Sequence, residues 1–309
     1  MTKKHTRCID VGSEYCPCYL AETMDCITCS HLQDKKFCNC SWDGFCVYQE
    51  FKFCGNSVKN TRESIEVKIV KKEKFQKLIV ITFKAPHTLA RQLNQPGAYI
   101  FIRNKNMNHF FDIPMSIMDV DTFKNEVKIA VQVFGVKTKT IQDVEDSILV
   151  RGPYWNGLYG LENLKQIENP KPLIITRGVA QAPALLLIKY LSRRSENIDV
   201  VLDIGSPGHD FIRETDKVRI IENLDLFSNQ AYKKLDKILA DHSYNLVFVG
   251  ASDYVYKQLI DHTQNLQDKK IITTNNSEIC CGEGICGSCT TYDISGIPIK
   301  TCKTQLNIK

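Results

Sequence analysis

Fourteen cysteines lie at the two ends of this 309-residue chain and none lies in between. Nine fall in the first 54 residues, namely Cys8, Cys16, Cys18, Cys26, Cys29, Cys38, Cys40, Cys46 and Cys54. Five fall in the last 30, namely Cys280, Cys281, Cys286, Cys289 and Cys302. The first eight residues are basic but no apolar stretch follows them, so no secretory signal is expected and the cytoplasm is the expected compartment. In a reducing compartment, cysteine at this density reads as metal or iron-sulfur ligation rather than a disulfide framework. Residues 1–60 are short of aliphatic side chains, so ligation has to supply what an apolar core does not.

The remainder has the composition of an ordinary folded protein, 43% hydrophobic and 24% charged, which excludes disordered and fibrous classes. A net charge of +5 over this length is too weak to imply nucleic acid as a partner. The longest apolar runs, Leu78 to Phe83 and Ala182 to Ile188, fall far short of the roughly 18–20 residues that span a bilayer.

From Ile65 to Pro153 the pattern is of strands. Residues 65–70 and 127–133 alternate, residues 77–83 are β-branched, and Pro96-Gly97 and Gly152-Pro153 mark turns, which predicts a small antiparallel β-barrel. The charged run Lys71 to Lys74 reads as a solvated turn. After Lys171, strands at 173–176, 199–204, 245–249 and 270–273 alternate with helices at 182–194, 231–240 and 254–262, which predicts a parallel α/β sheet. The expected organisation is a Cys-rich metal-binding segment at 1–60, a barrel at 61–160, an α/β nucleotide-binding-like domain at 161–274 and a cluster domain at 275–309.

The most specific motif is Cys281-Gly-Glu-Gly-Ile-Cys286-Gly-Ser-Cys289, with Cys302 following after twelve residues. This is the C-x4-C-x2-C…C spacing of plant-type 2Fe-2S ferredoxins. Three thiolates on one tight loop wrap two irons and the fourth arrives on a separate strand, while Gly282, Gly284 and Gly287 let backbone N–H groups approach the sulfurs. Zinc is the alternative, although its ligands more often come as two short pairs. At the N-terminus, Cys16-Pro-Cys18, Cys26-Ile-Thr-Cys29 and Cys38-Asn-Cys40, with Cys8 and Cys46, suit a 4Fe-4S cluster or structural zinc equally. His31 is either a substitute ligand or a solvated side chain. A 4Fe-4S cluster exposed there would bring oxygen sensitivity, a trait of anaerobes.

A barrel, then a parallel α/β domain, then a C-terminal 2Fe-2S loop resembles the electron-transfer subunit of type B dihydroorotate dehydrogenases, in the ferredoxin-NADP reductase superfamily. The resemblance covers roughly residues 62–305. It implies FAD bound by the barrel, a C-terminal 2Fe-2S cluster, and a dehydrogenase subunit or ferredoxin as partner. The family's Arg-Pro-x-Ser flavin signature is matched by Ile113-Pro114-Met115-Ser116-Ile117, where Ile113 replaces the arginine that binds pyrophosphate. Arg103 or the stretch Lys137-Thr138-Lys139-Thr140 after Gly135 then has to supply the charge. Pro96-Gly97-Ala98-Tyr99 is similar to the family's Pro-Gly-Gln-Phe turn, and residues 152–157 to its barrel-exit segment.

The resemblance also implies an NAD(P) site, and this is where the chain departs most. Only Gly178 remains of the glycine-rich first βα turn, and the later Cys-Gly turn reads Val249-Gly250. Arg177 either pairs with phosphate or fills the pocket. Asp203, with no nearby arginine, favours NAD over NADP. The reading that follows is a flavin and iron-sulfur electron-transfer oxidoreductase. A reductase-fold scaffold, stabilised by metal and without nicotinamide binding, is the alternative.

Overall fold

Poor in aliphatics, the described residues before Ser64 form two short α-helices, α1 (Tyr19–Glu22) and α2 (Val47–Phe53), and a 3-10 turn at His31–Gln33. Their buried cluster is Cys16, Ala21, Cys26, Cys29, Leu32, Val47 and Phe51, so thiols occupy positions that aliphatic side chains fill in ordinary cores. The computed structural model describes residues 7–39, 44–206, 208–241, 243–293 and 295–306, which leaves Cys40 and Trp42 outside the described residues. The chain divides into two units. One joins the residues up to Ser64 with Ser277–Leu306, and the other is Ile65–Asn276.

The second unit begins with a closed six-stranded barrel in the order β1-β2-β5-β4-β3-β6. Its strands are β1 (Ser64–Phe75), β2 (Leu78–Lys84), β3 (Tyr99–Arg103), β4 (Ile113–Asp121), β5 (Glu126–Gln132) and β6 (Ser147–Tyr154). Inward residues such as Ile79, Ile81, Phe83, Ile100, Ile102, Ile117, Ile129 and Val150 fill the interior together with Leu89 and Leu93 of α3 (His87–Leu93). Lys71 to Lys74 is not a turn but the end of β1, and the turn falls at Gln76, with φ +46°, and Lys77. Lys72 is held in the strand because its ammonium donates to the carbonyls of Gln142 and Val144 at 2.7 and 2.5 Å, after the short helix α4 (Val136–Lys139).

The strand β7 (Leu158–Tyr159) and helix α5 (Leu161–Gln166) lead into a sheet of order β10-β9-β8-β11-β12-β7, parallel except for β7. Its elements are β8 (Pro172–Arg177), α6 (Gln181–Leu191), β9 (Ile198–Asp203), β10 (Val218–Asn223), α7 (Asn229–Asp241), β11 (Leu246–Gly250), α8 (Asp253–His262) and β12 (Lys270–Thr274). Alternate strand residues feed opposite cores: Ile174 and Phe248 pack under α6, while Leu173, Ile175, Val247 and Val249 pack under α7 and α8. The buried, β-branched strands are those of a sheet covered on both faces. Helix α6 also reaches the barrel, placing Leu186 in its core and the ammonium of Lys189 2.7 Å from Asp119. Both the barrel and the parallel sheet expected from the sequence are present.

The chain then returns to the first unit, where β13 (Thr290–Tyr292) and β14 (Pro298–Lys300) form a hairpin. Cys8 forms an antiparallel bridge with Thr304, and Ile9 donates its N–H to the Lys303 carbonyl at 2.7 Å. Among the described residues no helix is long and apolar enough to cross a membrane.

Candidate functional site

On β3 the alternation that sends Ile100 and Ile102 into the barrel sets Tyr99, Phe101 and Arg103 on its other face. Tyr99 pairs in register with Ser116 on β4, and Phe101 with Pro114, so the expected flavin strand lies directly beside this face. From β6, Tyr154 stacks on Tyr99 at 5.1 Å, and the Arg151 guanidinium lies 4.3 Å from the centre of the Phe101 ring. Arg151 also bonds the Tyr154 hydroxyl.

One buried carboxylate organises the cations here. Asp112 accepts from Arg103 at 2.9 Å through one oxygen and from Arg151 at 3.0 Å through the other, and its carbonyl accepts from Lys137 at 3.1 Å. Arg103 also meets the His109 ring nitrogen at 2.8 Å. Two guanidinium groups and one ammonium against a single carboxylate leave a surplus of positive charge. The Nε of Arg103 is buried without a hydrogen-bond partner, which is costly unless a ligand completes it. The charge missing at Ile113 is thus present on β3 and β6.

Ile117 lies wholly in the barrel core, and Met115 packs against that core from a half-buried position. The Thr138 hydroxyl accepts from the N–H groups of Phe134 and Gly135 at 3.2 and 3.1 Å, so it clamps the turn. Lys137, Lys139 and the half-buried Thr140 stay near solvent. Sequence reasoning missed Arg151. The available signal was its position next to Gly152-Pro153, in register with Phe101.

In the parallel sheet the strand order reverses between β8 and β11, and ligands of such sheets bind beyond the strand ends at that point. Gly178 and Gly250 both stand there. Gly178 takes φ +57° and Gly205 φ +58°, and a Cβ on Gly205 would lie 3.3 Å from the Gly178 Cα. Arg177 turns across this edge. It is ion-paired with Asp203, 3.3 Å from Asp225, and stacked 4.1 Å over the Phe227 ring. Asp203 additionally accepts from the N–H groups of Gly205 and Leu226 at 2.9 and 2.7 Å. Asp203 thus does have an arginine beside it, contrary to the sequence expectation, because the ends of β8 and β9 are adjacent in the sheet, and the Arg177 charge is matched by Asp203 and Asp225.

The four C-terminal cysteines converge within the first unit. Cys281 is in hydrogen-bonding contact with Cys302 and Cys286, and Cys289 with Cys302. Backbone N–H groups are directed at the sulfurs: Glu283 to Cys281 at 3.3 Å, and Ser288 to Cys286. Contact with Cys302 pulls the Cys281 thiol down to about 4 and Cys289 down to about 6, while Cys302 itself, donating to both, is pushed up. Gly282, Gly284 and Gly287 all take positive φ between 74° and 79°, which lets the loop turn its amides inward. Four thiols converging on one loop whose amides point at their sulfurs have the donor set that iron-sulfur clusters require. Cys280 is exposed.

Of the N-terminal cysteines, Cys8, Cys16, Cys18 and Cys26 line one small cavity. Cys29 is buried beside it, with its N–H 3.4 Å from the Cys26 sulfur. Cys38 is exposed, Cys46 precedes α2 and Cys54 follows it, and none of these three lines the cavity. The His31 ring contacts the Lys35 carbonyl and Tyr48 rather than a thiol. Among the described residues no three His, Cys, Asp or Glu side chains are disposed as ligands of a single metal ion.

A cavity of about 700 Å³ lies at the opposite, N-terminal ends of the strands between Lys171, Arg193, Arg194, Lys217, Arg219 and Tyr244. Most of its cations are engaged. Arg219 pairs with Asp199, and Arg194 and Lys217 are bonded to backbone carbonyls, so it carries no chemistry of its own.

No family model matches the chain. It is 24% identical over 210 residues to a protein of Clostridium beijerinckii described as an uncharacterized protein in the adh 3′ region, over 66% of this chain and 64% of that protein's length. It is 22% identical over 205 residues to a Methanopyrus kandleri protein named as a probable dihydroorotate dehydrogenase B (NAD+) electron transfer subunit, over 63% of this chain and 73% of that one. Among solved structures, an NADH-dependent reduced ferredoxin-NADP oxidoreductase superimposes with a TM-score of 0.60 at 22% identity, covering 76% of this chain and 85% of that chain. The barrel and parallel sheet thus have the fold of ferredoxin-NADP reductases, and the resemblance to the dihydroorotate dehydrogenase subunit is found by sequence as well.

Proposed function

We propose that the chain is a flavin and iron-sulfur electron-transfer oxidoreductase subunit. In this reading it passes electrons between NAD(P)H or a partner dehydrogenase and a one-electron acceptor such as ferredoxin. The observation that carries the reading is the meeting of Cys281, Cys286, Cys289 and Cys302 on an amide-rich loop, in a chain whose other unit has a reductase fold. Bound FAD would supply the exchange between two-electron and one-electron carriers.

The chain's own residues would hold and orient that cofactor. The half-buried β4 segment Pro114-Met115-Ser116, beside the buried Tyr99 and Tyr154, would offer a hydroxyl-bearing edge for the ring system. Arg103, Arg151 and Lys137 offer the charge for a pyrophosphate. Cys281, Cys286, Cys289 and Cys302 would hold a 2Fe-2S cluster, and the N-terminal cysteines a 4Fe-4S cluster or zinc. The partner is a dehydrogenase subunit or ferredoxin, and the compartment is the cytoplasm.

At the strand ends near Gly178 and Gly250, Asp203 and Asp225 together outweigh the one charge of Arg177, and this negative balance favours NADH over NADPH. The engagement of Arg177 favours a second reading, a metal-stabilised scaffold that has lost nicotinamide binding. Flavin, iron and acid-labile sulfide content of anaerobically purified protein, followed by titration with NADH and NADPH, tests both. FAD with bound iron, bleached by NADH, is the expected result. A colourless protein without flavin would sink the first reading, and flavin that neither nucleotide bleaches would select electron entry from a partner.

A further inference from the structure

The cavity beside α1 is lined by Cys8, Cys16, Cys18 and Cys26 together with Val11, Leu20, Ala21 and Val47. It measures about 20 Å³. Four cysteines lining one enclosed space, on a segment with almost no aliphatic core, call for an occupant that ligates them, because the segment has little else to hold it. The kind of occupant follows from the local chemistry. A structural zinc draws four sulfurs to about 2.3 Å around a point, whereas a cluster keeps its ligands apart around its own volume. Here the four cysteines line a cavity, and among the described residues no three ligating side chains are gathered around a single ion. The Cys29 N–H directed at the Cys26 sulfur is the kind of second-layer contact that stabilises a thiolate carrying cluster charge.

The position of Cys8 adds a second, independent observation. It bridges Thr304, two residues beyond Cys302, so its Cα lies within roughly 12 Å of the Cys302 Cα by strand spacing. Between the two thiol groups runs a buried ionic network. Asp10 accepts from Arg62 at 2.9 Å and from Lys303 at 2.5 Å, and Glu283 accepts from Lys303 at 2.8 Å. Cys8 and Asp10 thus belong to one side of this network, and Glu283, Cys302 and Lys303 to the other.

We propose that Cys8, Cys16, Cys18 and Cys26 hold a second iron-sulfur cluster, placed to exchange single electrons with the C-terminal cysteine site of the same unit. The inference rests on the electron-transfer reading above. The exchange moves one electron and no atoms. One site is oxidised by one electron as the other is reduced by one, with reduced flavin as the source and a one-electron carrier protein as the sink.

The test uses the full chain, purified anaerobically, with iron, zinc, sulfide and FAD measured per chain and dithionite-reduced samples examined by electron paramagnetic resonance. Wild-type protein should carry about six irons if the second cluster is of the 4Fe-4S type. Cys26→Ser and Cys8→Ser should each lower that to about two while FAD and the C-terminal resonance remain, and Cys54→Ser should change nothing. Cys8 is only half-buried, so its variant keeps the test open should Cys26→Ser misfold. Two irons with one zinc in the wild type would overturn the proposal, as would iron content unmoved by Cys8→Ser and Cys26→Ser or lowered equally by Cys54→Ser. Each of those outcomes leaves FAD and the two C-terminal irons in place, whereas failure of the electron-transfer reading would show as absence of flavin.

Discussion

Lys303 carries its charge with 1% of its side chain exposed, and it can do so because Asp10 and Glu283 face it and Arg62 completes the network. Burial alone would raise the Asp10 pKa, but Lys303 and Arg62 outweigh it and hold the carboxyl below its ordinary value of 3.8. A depressed carboxylate stabilises the fold above its unfolded pKa and loses that contribution as pH falls through the folded one. Burial opposes the charge on Lys303, yet Asp10 and Glu283 hold its pKa above the ordinary 10.5, so its contribution is complete below that value and fades above it. The network therefore works from about pH 4 to about pH 10. Asp10→Asn leaves two buried cations short of a counter-charge and should cost about 3–5 kcal/mol at neutral pH. Hydrogen exchange in residues 7–39 and 295–306 measures it, and the gap to wild type should narrow below pH 4. A gap independent of pH would refute the assignment. Arg103→Leu should weaken FAD binding about 10- to 100-fold by fluorescence titration, since a charge-assisted bond is worth about 1.5–3 kcal/mol and Asp112 keeps Arg151. That Cys281, Cys286, Cys289 and Cys302 come together was legible in the sequence because the spacing of the first three is local. Arg62 and Asp10 were not, because their pairing spans 52 residues and exists only once the chain has folded.

At the scale of elements, the barrel and sheet strands were legible wherever apolar alternation or a β-branched run sufficed. The expected strands at 127–133 and 173–176 lie within a residue or two of β5 and β8. The Lys71 to Lys74 run misled because its charge suggested solvent, while Lys72 is buried to the ammonium and satisfied by carbonyls across the barrel. β10 was passed over because it is a sheet-edge strand in which, of Val218-Arg219-Ile220-Ile221, only Val218 is fully buried. The close passage of α5 against β12 was equally silent. Gly160 takes φ +76°, and a Cβ there would lie 2.3 Å from the Ile271 carbonyl oxygen. Gly160→Ala should thus cost more than the roughly 1–2 kcal/mol of left-handed backbone strain alone, read as a lowered denaturant midpoint. At the β8 and β9 ends, Asp203→Asn should reduce the preference for NADH over NADPH about tenfold in a flavin-bleaching assay, since it removes the better buried of the two carboxylates. An unchanged ratio would show that the pair reads no ribose.

At the scale of the whole molecule, the sequence places cysteine chemistry at both ends of the chain, and the structure gathers those ends into one unit. That arrangement changes what a truncation should do. If the N-terminal segment were an independent appendage, removing residues 1–60 would strip only the metal it carries. Instead, the truncation takes away Asp10, half of the counter-charge of Lys303, and the Cys8 bridge to Thr304, and it uncovers Leu20's packing partner Gly284 in the cluster loop. The Ile65–Asn276 unit has its own cores in the barrel and on both faces of the sheet, and nothing in those cores comes from the first 60 residues. The truncated protein should therefore still bind FAD and unfold cooperatively, but lose the C-terminal iron along with the N-terminal metal. Flavin and iron content of that variant, set beside Cys286→Ser, separates the two effects. Cys286→Ser should remove about two irons and spare the rest, because it deletes one thiolate and leaves the ionic network in place. A truncated chain that kept two irons would show that the C-terminal loop holds its cluster without the N-terminal half of its unit.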